Sequence, residues 1–263
     1  IHSWITGEGC IEEYRAHDGY VCTGLFGAIY GNAVVKNLIL ENVNINAGEF
    51  TGNNAGAVVG FAYSCTGSVE NVTVRGNINI DAPNVTGTGA IVGYDYYGKL
   101  TIKNCSVVGN DNSEITGAAY VGGIIGYAST NSKIDGCSVE NIDVVATSCS
   151  AGGIAGIMLA TGSASGNTVE NVDFSVGHEN WQNSVGIVVG CTTTGKITVS
   201  GTEYSGVTVN DVATDVIVGS QHSNQPTTPV PAVEARIGDT YYTTLDICLC
   251  SVFRWQSESW KIK

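Results

Sequence analysis

The chain has 263 residues, room for one large domain or two small ones, and carries 11 Lys+Arg against 24 Asp+Glu, a formal charge of -13. That balance argues against a nucleic-acid partner, whose phosphates need a basic face. Only 13% of residues are charged and no apolar run approaches the ~18 residues of a membrane span, so neither charge-driven disorder nor membrane insertion is expected.

Residues 1–23 start at Ile1, with no Met and no signal-peptide pattern, and read as the start of a mature or trimmed form. They hold a polar stretch, Glu12-Glu-Tyr-Arg-Ala-His17-Asp18, and lack the pattern that governs the next 200 residues. An N-terminal cap or incomplete coil is expected there.

From residue 24 a Gly-flanked apolar block recurs: Gly24-Leu-Phe-Gly27, Gly56-Ala-Val-Val-Gly60, Gly89-Ala-Ile-Val-Gly93, Gly122-Gly-Ile-Ile-Gly126, Gly152-Gly-Ile-Ala-Gly156, Gly186-Ile-Val-Val-Gly190 and Asp215-Val-Ile-Val-Gly219. The closing glycines lie 33, 33, 33, 30, 34 and 29 residues apart. A second block follows each of the first six, as in Val35-Lys-Asn-Leu-Ile-Leu40 and Val69-Glu-Asn-Val-Thr-Val74. Its third position is always Asn or Gly: Asn37, Asn71, Asn104, Gly136, Gly166 and Gly201. Those residues tolerate left-handed backbone, which predicts one tight bend at the same place in every repeat. Beyond the bend, segments such as Glu41-Asn-Val-Asn-Ile45 and Asn141-Ile-Asp-Val144 alternate, marking strands with one buried face.

No segment sustains helical apolar spacing. Units of about 33 residues with two or three short strands suit one coil of a parallel β-helix, with coils about 4.8 Å apart. A β-propeller is the rival, but its blades need about 40–45 residues. The predicted fold is all-β: a parallel β-helix of about seven coils over residues 24–220.

The Gly-Gly-Ile-Ile-Gly126 and Lys-Asn-Leu-Ile-Leu-Glu-Asn-Val blocks resemble the GLUG-type repeats of bacterial surface proteins, over roughly residues 20–219. Such repeats occur in proteins classed as adhesins and in noncatalytic regions of immunoglobulin A proteases. The resemblance implies a right-handed β-helix on an exported bacterial protein, and it brings no catalytic residue.

Three of the four prolines fall in Gln225-Pro-Thr-Thr-Pro-Val-Pro231, so residues 221–231 read as an extended linker. Residues 232–263 open with Ala235-Arg-Ile-Gly-Asp-Thr-Tyr-Tyr-Thr-Thr-Leu-Asp246, similar to the start of a module repeated in bacterial surface proteins. The Ala-rich helix of that module is replaced by Ile247-Cys-Leu-Cys-Ser-Val-Phe-Arg-Trp255. The segment is either a strand pair capping the solenoid or the start of a truncated domain.

Nine cysteines, an odd number, leave at least one without an intramolecular disulfide. Cys105 and Cys137 share a column one coil apart, within disulfide range, though packing favours buried thiols. Cys248-x-Cys250 lacks partners at metal-ligand spacing, and no metal or cofactor is expected. His2, His17, His178 and His222 have no nucleophile motif beside them, and His17-Asp18 and His178-Glu179 read as solvated loops. Asp135, Asp143 and Asp173 match no calcium-loop consensus.

One feature favours binding. Two adjacent apolar residues precede each closing glycine, so strict alternation would turn one of those columns away from the core. Ala28, Phe61, Tyr94, Tyr127, Ile157 and Cys191 follow the closing glycines. An outward strip of Phe61, Tyr94 and Tyr127, with Tyr96 and Tyr97 beside it, could stack on sugars or dock a partner; the alternative is that these rings point inward or lie under a loop. The expected function is a nonenzymatic, secreted or cell-surface bacterial repeat protein acting in adhesion, in binding a glycan or surface protein, or as a rigid spacer. The alternatives are a carbohydrate-active β-helix enzyme and a noncatalytic region of a larger surface protease.

Overall fold

The computed structural model describes residues 22–47, 54–177, 184–193 and 196–221, and an antiparallel pair, Ala235–Ile237 with Thr240–Tyr242. The expectations for residues 1–21, the Pro-rich linker, the rest of the C-terminal segment, the four histidines, Cys248 and Cys250 lie outside the described residues.

The chain is all-β, a parallel β-solenoid of about six turns with repeats of ~33 residues. Each turn visits three parallel sheets. Sheet 1 stacks six short strands, from Cys22–Thr23 to Val185–Gly186. Sheet 2 stacks seven, from Phe26–Tyr30 to Val218–Gln221. Sheet 3 takes the remaining strands from Val34–Glu41 to Val212–Ala213. The last unit has a sheet 2 strand but no sheet 1 strand among the described residues, which separates about six turns from seven repeats.

Equivalent residues lie in register. Val35, Val69, Ile102, Ile134, Ala164 and Val199 form one ladder, and Leu38 pairs with Val72 in the next. Ile102, Ile134, Val72 and Val107 are at most 1% exposed. Each such aliphatic side chain contributes roughly 1.5–3 kcal/mol by leaving water. At the predicted bend, Asn37, Asn71, Asn104, Gly136, Gly166 and Gly201 all have positive φ, between 52° and 62°. The asparagines also bond along the axis: Asn71 Nδ2 donates to Asn37 Oδ1 at 3.3 Å, and Asn104 Nδ2 to Asn71 Oδ1 at 3.5 Å.

A second left-handed column was not expected. Asn42, Gly76, Asn141, Asn171 and Gly206 also have positive φ, from 50° to 89°, where the sequence reads as simple alternation.

The apolar pairs before the closing glycines correct another expectation. Val58 and Val59, Ile91 and Val92, and Ile124 and Ile125 are all 0% exposed in the main core, so neither column faces outward. The cause is the corner between sheets 1 and 2: Val58, Ile91 and Ile124 sit in the two-residue bends that join the sheets, and only Val59, Val92 and Ile125 open the sheet 2 strands. The amides of Ile91 and Val92 both donate to Ile124 O, at 3.1 and 3.0 Å, and those of Ile124 and Ile125 both to Ile154 O, at 3.1 and 3.0 Å. Turning this corner breaks the alternation at that step, so both side chains point inward.

The flanking glycines close this arch. A Cβ on Gly89 would lie 2.4 Å from Val92 O and 2.8 Å from Gly126 N, and one on Gly93 would lie 2.5 Å from Gly60 O and 2.8 Å from Ala55 N. Sheets 1 and 2 therefore meet backbone to backbone, a spacing only glycine allows.

Candidate functional site

Past the corner, sheet 2 alternates cleanly. Ile29, Ala62, Ala128 and Met158 point into the main core, and Asp95 shares their column at 0% exposure. The intervening residues Ala28, Phe61, Tyr94, Tyr127 and Ile157 form an in-register column on the opposite face. Two residues on, Tyr30, Tyr63 and Tyr96 form a second one.

The two columns make one aromatic cluster. Phe61 lies 6.0 Å from Tyr94 and 6.3 Å from Tyr96, Tyr63 lies 6.2 Å from Tyr96, and Tyr94 lies 5.9 Å from Tyr96. Tyr94 and Tyr127 stack in parallel, and Tyr120 of sheet 1 meets Tyr127 edge-on at 5.6 Å. Tyr120, Ile157, Cys149 and Cys191 belong to a second apolar cluster outside the main core, with Tyr127 packed on it. Burial pushes the Tyr94 and Tyr120 hydroxyls well above the ordinary phenol range, and that of Tyr127 up to about 12.

The five residues singled out from the sequence thus lie together, with unequal exposure. Phe61, Tyr94, Tyr96 and Tyr127 are half-buried, whereas Tyr97 is 72% exposed. Tyr30, which the sequence reading passed over, is 61% exposed. Its signal was available, since Tyr30, Tyr63 and Tyr96 each lie three residues past a closing glycine. Tyr97 rests on Tyr96 with centroids 4.0 Å apart. It has φ 54°, in the corner where the preceding coils carry Gly31 at 64° and Ser64 at 46°. A bulky residue there is strained by about 1–2 kcal/mol.

Beneath this face, Asp95 is a buried carboxyl. Ser132 Oγ donates to its Oδ2 at 2.6 Å and the Leu100 amide at 3.5 Å, while Oδ1 has no partner. Burial raises it from 3.8 to about 6. Cys65, also fully buried, is raised by burial and, to a lesser extent, by Asp95.

Other candidate chemistry is more dispersed. Glu114, Asp143 and Asp173 stack in register on sheet 3, and burial followed by Asp173, Glu114 and Asp211 raises the Asp143 carboxyl. Asp135 sits in a different column, bonded by Ser165. Among the described residues, no group of three or more His, Cys, Asp or Glu is placed to hold a metal ion. Cys105 and Cys137 are free, buried thiols. The Cys137 thiol is pushed up, first by its hydrogen bond with Cys105 and then by burial. The next residue in their column, Asn167, is 0% exposed; it donates to Ile134 O at 3.0 Å and accepts from the Cys137 amide at 2.8 Å. Among the described residues, no helix is long and apolar enough to cross a membrane.

These features define a parallel β-solenoid built of short repeats with an aromatic face on one sheet. The GLUG motif matches residues 117–145, the unit that contributes Tyr120 and Tyr127. The neighbouring units repeat its glycines and bends in register, as in a GLUG-type repeat protein. No curated protein and no solved structure matches the chain.

Proposed function

We propose that this chain is a nonenzymatic repeat protein of the secreted or bacterial cell-surface kind, a stiff scaffold that adheres to a glycan or a surface protein through the tyrosine face. The motif and the solenoid fit a noncatalytic repeat protein. The observation that carries the adhesive reading is the tyrosine ladder of Tyr30, Tyr63 and Tyr96 with Tyr97 beside it, in which Tyr30 and Tyr97 are exposed. Aromatic rings with a polar tip suit surfaces that are wet when free and apolar when occupied. Beads coated with the chain should attach to bacterial or host cells, and the protein should release no reducing or unsaturated ends from polysaccharides. Turnover without adhesion would favour a carbohydrate-active enzyme, for which the raised Asp143 carboxyl beside Glu114 and Asp173 is the supporting observation.

A further inference from the structure

We propose that the tyrosine face takes an electrically neutral glycan chain, with Tyr97 as its principal platform and Tyr30 as a second. The proposal rests on the adhesive reading above and specifies its ligand.

The first argument comes from ring geometry. Tyr94 and Tyr127 are centred 4.0 Å apart with planes 6° from parallel, so each covers one face of the other, and Tyr120 closes on Tyr127. Those rings are spent on each other and on the outer apolar cluster. Tyr97 and Tyr30, at 72% and 61% exposed, keep ring surface in solvent. A pyranose presents C–H groups on its flat side and hydroxyls around its rim, and a tyrosine matches both with an apolar ring and a phenol tip.

The second argument is strain. Tyr97 holds φ 54° at a corner where Gly31 and Ser64 serve the same turn in the two preceding coils. The fold needs no ring there, since the side chain rests beside Tyr96 and is largely in water. A strained, exposed aromatic residue is what a recognition role would retain.

The third is spacing and charge. Tyr30 and Tyr96 are two coils apart, roughly 10 Å at the usual strand separation, so the platforms suit several units of a polymer. The net charge of -13 opposes an anionic polysaccharide, and Lys99 is the nearest cation to Tyr97 in sequence.

The test uses the full chain and neutral hexasaccharides of β-1,4-glucose, β-1,4-N-acetylglucosamine, α-1,4-glucose and β-1,4-mannose, with hexagalacturonate as the anionic probe. Saturation-transfer NMR and calorimetry should detect at least one neutral ligand and no hexagalacturonate binding. Tyr97→Gly should keep or raise thermal stability, because glycine relieves the corner, yet weaken binding by about tenfold; Tyr30→Ala should weaken it several-fold. Unchanged affinity in Tyr97→Gly, or binding of hexagalacturonate alone, would overturn the proposal. If coated beads adhere to cells but no neutral hexasaccharide binds or competes, the adhesive reading stands and the glycan assignment fails, leaving a protein partner. If the beads do not adhere and no sugar binds, both fail.

Discussion

Tyr94 and Tyr127 stack one coil above the other, with centroids 4.0 Å apart and planes 6° from parallel. The stack joins sheet 2 to sheet 1 through Tyr120, so it braces the outside of the arch that the glycines hold from within. Tyr127→Ala should lower the unfolding free energy by about 2–4 kcal/mol, and Tyr127→Phe by less than about 1 kcal/mol. Denaturant unfolding of the two variants checks this, and a loss below 1 kcal/mol in the alanine variant would show that the stack is incidental.

Asp95 should make stability fall as pH rises. Its carboxyl titrates at about 6 in the fold against an ordinary 3.8. Below 3.8 it is protonated in both states and contributes no pH dependence. Between 3.8 and about 6 the unfolded chain releases its proton first, so folding weakens through that window and then levels off. The full penalty is about 3 kcal/mol. Asp95→Asn keeps an acceptor for Ser132 and should gain on the native protein over this window, with no gain below it. A stability difference flat in pH would refute the assignment.

Gly93 and Gly166 should respond oppositely to a side chain. Gly93→Ala puts a Cβ 2.5 Å from Gly60 O in its own sheet and 2.8 Å from Ala55 N, and must push sheet 1 from sheet 2, a loss of about 3 kcal/mol or more. Gly166 has open space around it and φ 60°, and three earlier coils carry Asn in its place. Gly166→Asn should therefore change stability by less than about 0.5 kcal/mol. Parallel thermal melts of both variants decide the point.

Asn167 should prove costly to replace with an isostere. Asn167→Leu leaves Ile134 O and the Cys137 amide without their partner in a dry core. The expected loss is about 2–3 kcal/mol even though the branching and the number of side-chain heavy atoms are kept. Urea unfolding and hydrogen exchange at the Cys137 amide report it, and an unchanged exchange rate would contradict the assignment.

The repeat and the first bend were legible because each constrains backbone directly. Glycine and asparagine are the residues that tolerate left-handed φ, so a column of them at fixed spacing marks a corner. The second corner was hidden because Asn42, Asn141 and Asn171 also fit the polar phase of an alternating strand. The corner at Ile91 was hidden for a different reason: a bend whose two amides share one carbonyl leaves no mark on side-chain identity. For the candidate site, the aromatic column could be found by aligning repeats, but its exposure could not. Burial of Tyr94 and Tyr127 depends on Tyr120, which belongs to another sheet.

Near the end of sheet 3, Thr208–Val209 continues the parallel stack, and the chain then reverses through Asn210 and Asp211, with φ 49° and 64°, into Val212–Ala213. Among the described residues, that reversed strand is the margin of this column of sheet 3. A newly duplicated coil laid against it would meet a backbone running the wrong way, so the array can lengthen by insertion between existing units more readily than by addition here. Thr198–Ser200 and Glu203–Ser205 end the neighbouring columns of the sheet as parallel strands, so the reversal closes the template in this column alone.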